Sequence, residues 1–175
     1  AFAQSPPAVD ATDYTEAPAL WTCGAEDWGP WYATCVGTDE RPAAGKSSIL
    51  LNYCQGAEHY LAFPKFRNAN WDLSGADYLE FKVRISKGIV HRGPNPMVYL
   101  RSQDGSFIRI QPKGRHSLFE KESDGEWQSV RVPLKPDPDW EVFRWLNPSI
   151  KKADFFEISF GGTNAPKYAA HYAQV

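Results

Sequence analysis

Met97-Val-Tyr-Leu-Arg-Ser-Gln-Asp-Gly-Ser-Phe-Ile-Arg-Ile110 alternates apolar and polar residues on both sides of an Asp-Gly turn signal, the pattern of a β-hairpin with one buried face. Its register follows from the alternation. If Asp104-Gly105 were the whole loop, Leu100 would stand opposite Arg109 and an apolar face would meet a charged one. A three-residue loop, Gln103-Asp104-Gly105, removes the conflict and puts Gly105 in the left-handed conformation that glycine accepts without strain. Leu100 then faces Ile108 and Val98 faces Ile110 on the core side, while Tyr99 faces Arg109 and Arg101 faces Phe107 on the outer side. A plain solvent face favours Thr, Ser, Lys and Glu. Two aromatic rings and two guanidinium groups, Tyr99, Arg101, Phe107 and Arg109, suit planar, hydroxyl-rich ligands instead.

The same period recurs along the chain. Tyr78-Leu-Glu-Phe-Lys-Val-Arg-Ile85 sets Leu79, Phe81, Val83 and Ile85 against Tyr78, Glu80, Lys82 and Arg84, one face core and the other wet. Val130, Val132 and Leu134, and Phe156, Ile158 and Phe160, extend the expected core. About eight strands are predicted, over residues 48–54, 60–63, 78–85, 97–102, 107–111, 127–134, 155–160 and 168–175. No helical periodicity runs beyond a turn or two, and the best helix candidate is the aromatic segment 139–146, boxed between Pro138 and Pro148. With 14 Pro, 13 Gly, seven Trp and one Met in 175 residues, the composition fits many short strands joined by tight turns. The prediction is an all-β, two-sheet antiparallel β-sandwich of jelly-roll type in a single domain over residues 19–175, after a Pro/Ala-rich flexible leader over 1–18. Ala1-Phe2-Ala3 has the small-x-small form of a signal-peptidase site and points to an exported, extracellular or cell-surface protein.

Charge and cysteine usage narrow the chemistry. A net charge of −2 supplies none of the basic footprint that phosphate-backbone binding needs, so nucleic acid is not an expected partner. No apolar run approaches the roughly 18 residues of a membrane-spanning helix, and no membrane partner is expected. Cys23, Cys35 and Cys54 form an odd set without zinc spacing. Cys23 and Cys35 bracket a Trp-rich loop and are the expected disulfide, ahead of pairings with Cys54, which reads as a small buried hydrophobe. The four histidines are scattered, and neither a nucleophile elbow nor a phosphate-cradling loop is present. Glycoside cleavage needs two carboxylates roughly 5 to 9 Å apart. Glu80 and Glu157 are the only carboxylates central to predicted strands and each stands alone, so the chain is expected not to be an enzyme.

Aromatic loops offer a second candidate surface. Trp28, Trp31 and Tyr32 crowd the segment between Cys23 and Cys35, where they either stack on sugars or, with Trp21, cap the sandwich. Trp140 and Trp145 read the same two ways, whereas Trp71 and Trp127 are expected to pack.

The run Trp71-Asp-Leu-Ser-Gly-Ala-Asp-Tyr-Leu-Glu-Phe-Lys-Val83 resembles the opening of galactose-binding-like carbohydrate-binding modules. Further matches follow in Val98-Tyr-Leu-Arg-Ser-Gln-Asp-Gly-Ser-Phe107, Glu126-Trp-Gln-Ser-Val-Arg-Val-Pro-Leu134 and Phe155-Phe-Glu-Ile-Ser-Phe160, so the resemblance covers roughly residues 48–175. It implies a jelly roll that binds polysaccharide on a sheet face or by loops, acting as a monomeric module of a larger carbohydrate-active enzyme. Such modules often hold a structural calcium through carboxylates near the chain ends. The last predicted strand here carries His171 and no carboxylate, leaving Asp10, Asp13 and Glu16 as oxygen donors near the N-terminus. Chain-internal binding would use Tyr99, Arg101, Phe107 and Arg109, and chain-end binding Trp28, Trp31 and Tyr32. Arg84, Arg101 and Arg109 would extend the ligand to acidic polysaccharides. A protein-interaction or adhesion domain, or a small sandwich hydrolase or lyase, are the alternatives.

Overall fold

Alternation of buried and exposed side chains gives strands two unlike faces, and two apolar faces close on each other to form the core. The computed structural model describes residues 18–26, 33–53, 58–114, 116–162 and 171–175. Among them, after a 3-10 turn at Pro18–Leu20, run eleven strands: β1 (Thr22–Glu26), β2 (Ala33–Thr38), β3 (Ser48–Tyr53), β4 (Glu58–Phe63), β5 (Tyr78–Ile85), β6 (Met97–Arg101), β7 (Phe107–Pro112), β8 (Trp127–Pro133), β9 (Trp140–Trp145), β10 (Phe155–Phe160) and β11 (His171–Gln174). A six-stranded sheet has the order β1-β4-β10-β6-β7-β9 and a five-stranded sheet the order β2-β3-β11-β5-β8. Every pairing between these strands is antiparallel. The protein is therefore an all-β, two-sheet antiparallel β-sandwich, its chain crossing repeatedly between the sheets.

All eight expected strands are present, with ends shifted by a few residues at most. Three more were not expected. The 139–146 segment is the strand β9 and not a helical turn, because its main chain extends along the free edge of β7. β1 and β2 carry too few apolar residues to show the period. The expected core residues, Val98, Leu100, Ile108 and Ile110 of the hairpin among them, lie in the core or pack against it, joined by Ile49, Leu51 and Leu61. Trp21, Phe63, Trp71 and Phe156 form one aromatic group, with Trp71 stacked on both phenylalanines at 6.1 and 6.0 Å.

The wet face expected for β5 is dry at one end. Arg84 is 3% exposed, lying over the Trp127 ring at 5.9 Å and reaching Glu40 at 3.6 Å. Trp127 itself packs on this outer face and donates from its indole to the Arg41 carbonyl. The leader expected over 1–18 falls, but for Pro18, outside the described residues.

Candidate functional site

Because strand pairing sets same-face residues side by side, the register of the six-stranded sheet writes out its outer surface. The β6-β7 hairpin has the expected register, Tyr99 opposite Arg109 and Arg101 opposite Phe107, and Gly105 turns its loop at φ +85°. One row across the sheet reads Phe155, Arg101, Phe107, Trp145. Its neighbour reads Glu157, Tyr99, Arg109, Phe143. Rings and guanidinium groups interleave along both rows: Arg101 lies 4.6 Å from the Tyr99 centroid and 5.1 Å from Phe107, Arg109 4.3 Å from Phe143, and Arg67 4.7 Å from Phe155. Each is within cation-π range, so the rings and cations hold one another flat on the sheet.

Burial divides this surface into a foundation and an open part. Glu157 is buried and takes a 2.7 Å hydrogen bond from Arg101 Nε, so the carboxylate read as standing alone is an ion-paired anchor. Tyr99, expected to offer an open ring, is only 5% exposed beneath Arg101 and against the edge of Phe107 at 5.5 Å. The open rings are Phe143 at 41% and Trp145 at 59%, on edge strand β9. Beside them two buried polar atoms have no hydrogen-bond partner, Arg109 Nε and Gln111 Oε1. One is a donor and the other an acceptor, and a hydroxyl group can serve either.

The structure thus brings Tyr99, Arg101, Phe107 and Arg109 together and adds Phe143, Trp145, Gln111 and Arg67. Of these additions, Gln111 could have been found by continuing the alternation of β7 past Arg109. Arg84 is not part of the group, since β5 belongs to the other sheet. Trp28, Trp31, Tyr32 and Cys54, and the suggested calcium donors Asp10, Asp13 and Glu16, lie outside the described residues. Among the described residues no three His, Cys, Asp or Glu side chains are grouped to hold a metal ion.

Cys23 and Cys35, expected as a disulfide, are two free thiols in hydrogen-bonding contact. They meet because β1 and β2 run along the same edge of the two sheets. The hydrogen bond to Cys23 and the nearby Lys65 charge pull Cys35 down to about 7 against the opposing effect of burial, while the same hydrogen bond and burial push Cys23 up.

No protein-family model matches the sequence, and no curated protein matches it. Among solved structures, the chain is similar at 12% identity and a TM-score of 0.43 to one from work on carbohydrate-binding modules of the β-sandwich superfamily, over 88% of this chain and 54% of that one. The chain therefore spans about half the length of that structure. A similarity of 12% identity and TM-score 0.34 joins 88% of it to 80% of a structure of the C-terminal family 22 carbohydrate-binding module of Clostridium thermocellum Xyn10B. Another, at 16% and 0.38, covers 89% of it and 91% of the K2 cleaved adhesin domain of Lys-gingipain. Likenesses this distant say nothing of function, which rests on the face itself.

Proposed function

We propose that the protein is a non-catalytic carbohydrate-binding module of the galactose-binding-like kind, and that it holds an internal stretch of a polysaccharide on the outer face of its six-stranded sheet. One observation carries this reading: two open aromatic rings, Phe143 and Trp145, stand in register with rows of ring-supported guanidinium groups. Aromatic faces take the C–H face of a pyranose, and Arg101, Arg109 and Gln111 are placed for its hydroxyls. From Phe155 to Trp145 the row crosses three strand spacings, roughly 14 Å, enough for several consecutive sugar residues. The ion pair and cation-π contacts hold the polar groups in place before any ligand arrives, which lowers the ordering cost of binding. In this reading the module acts outside the cell, attached to a carbohydrate-active enzyme.

Affinity electrophoresis against neutral and acidic polysaccharides, with released sugars assayed in the same mixtures, tests it. Retardation without product is the expected result, and product release would return the sandwich hydrolase or lyase. A protein-interaction or adhesion role is the second reading. The exposed aliphatic residue Leu146 favours it, because the same edge offers it to a partner and a sugar has little use for it. Retardation by no polysaccharide would select it.

A further inference from the structure

The two sheets are unequal, and the inequality opens a groove. β8, the last strand of the five-stranded sheet, packs under β7. β9 lies one strand further out, so its inward face, with Trp140, Val142 and Arg144 opposite Pro112, Ile110 and Ile108, overhangs the edge of the sandwich. The loops at 134–137 and 148–151 flank the overhang and close a half-open groove of about 590 Å³. That volume falls in the range of small-molecule sites. Ile110, Val142, Ile150 and the Trp140 ring give it an apolar lining, and Arg144 and Lys151 stand on its rim.

The rim charges are unequally engaged. Lys135 is ion-paired with Asp77, and Asp137 accepts a hydrogen bond from the Asp139 amide. Arg144 has no carboxylate within ion-pair distance among the described residues, and Lys151 acts on Asp72 only at longer range. An apolar floor under two available cations fits an anion with an apolar face. Half-openness selects among such anions. An alkyl chain would leave one side in water, whereas a sugar ring presents C–H groups to the floor and hydroxyls to the solvent.

We propose that this groove is a second saccharide site, separate from the sheet face, that takes a uronate residue with its ring on Trp140 and Val142 and its carboxylate toward Arg144 and Lys151. The inference extends the glycan reading but uses none of the face residues. Its test is calorimetric titration of the full chain with trigalacturonate, trimannuronate and a glucuronate-bearing trisaccharide, each beside its methyl ester, which keeps the ring and loses the charge. At least one acid binds about tenfold more tightly than its ester at low salt, and the advantage shrinks as salt screens the pair. Arg144→Gln combined with Lys151→Gln removes the advantage, and Phe143→Ala leaves it in place. Equal affinity for acid and ester in all three pairs, or no binding of any acid, overturns the proposal. So does an acid preference that survives the double rim substitution. Failure of the sheet-face reading shows elsewhere, in neutral-polysaccharide binding that ignores Phe143 and Trp145.

Discussion

Arg101 is the most heavily used side chain on the proposed binding face, since it pairs with Glu157 and lies over both Tyr99 and Phe107. Removing Glu157 would leave that guanidinium largely buried without its counter-charge. Glu157→Ala is predicted to lower stability by about 3 kcal/mol, read from the shift of the urea midpoint. A loss below about 1 kcal/mol would give the pair the value of a surface ion pair. Tyr99→Ala is chiefly a stability mutation as well, because a ring at 5% exposure leaves a cavity when it is cut away. The hairpin register was legible because Leu100, Ile108, Val98 and Ile110 admit only one pairing that buries them together. The burial of Tyr99 was not, since alternation tells which face a residue takes and not what lies over it. Cys35 offers a pH test. Its folded-state value, pulled down to about 7, places thiolate formation below the ordinary cysteine range. In the reduced protein, alkylation of Cys35 is predicted to rise with pH about a midpoint near 7, ahead of Cys23. Equal rates at the two thiols would contradict the assignment.

At the scale of elements, β9 decides what the face can do. Trp140-Glu-Val-Phe-Arg-Trp145 alternates, yet its aromatic residues fall on both faces because both are open at the sheet edge. A count of apolar against polar positions therefore gives no inward side, and Pro138 and Pro148 suggest a turn. β1 and β2 escaped for a different reason. Thr-Cys-Gly-Ala-Glu and Ala-Thr-Cys-Val-Gly-Thr hold too few large apolar residues to show a period. These two edge strands carry the thiol pair, so a Cys23–Cys35 bond would tie one sheet to the other as well as close the loop between them. Oxidised protein is predicted to be more stable than reduced protein by about 3 kcal/mol, measured by denaturant titration with and without reductant. Identical midpoints, with the bond verified by mass, would show that the sheets need no tie.

Over the whole molecule, the sandwich was legible because period-two alternation marks β5, β6, β7, β8 and β10, from Val83 and Ile85 to Ile158 and Phe160. The strand order was not. β10 lies between β4 and β6, and β11 between β3 and β5. Pairings such as Ile158 with Leu61, far apart in sequence, are settled by the joint packing of both sheets and leave no local signal. The overhang of β9 follows from that order, and with it the open position of Phe143 and Trp145 beside the arginines. The most direct test of the glycan face is affinity electrophoresis of Phe143→Ala/Trp145→Ala against whichever polysaccharide retards the wild type, with folding verified by an unchanged thermal midpoint. Loss of retardation, with stacking lost at roughly 1 kcal/mol for each ring, is the predicted result. Full retardation of the folded double variant would contradict the account and move the glycan off this face.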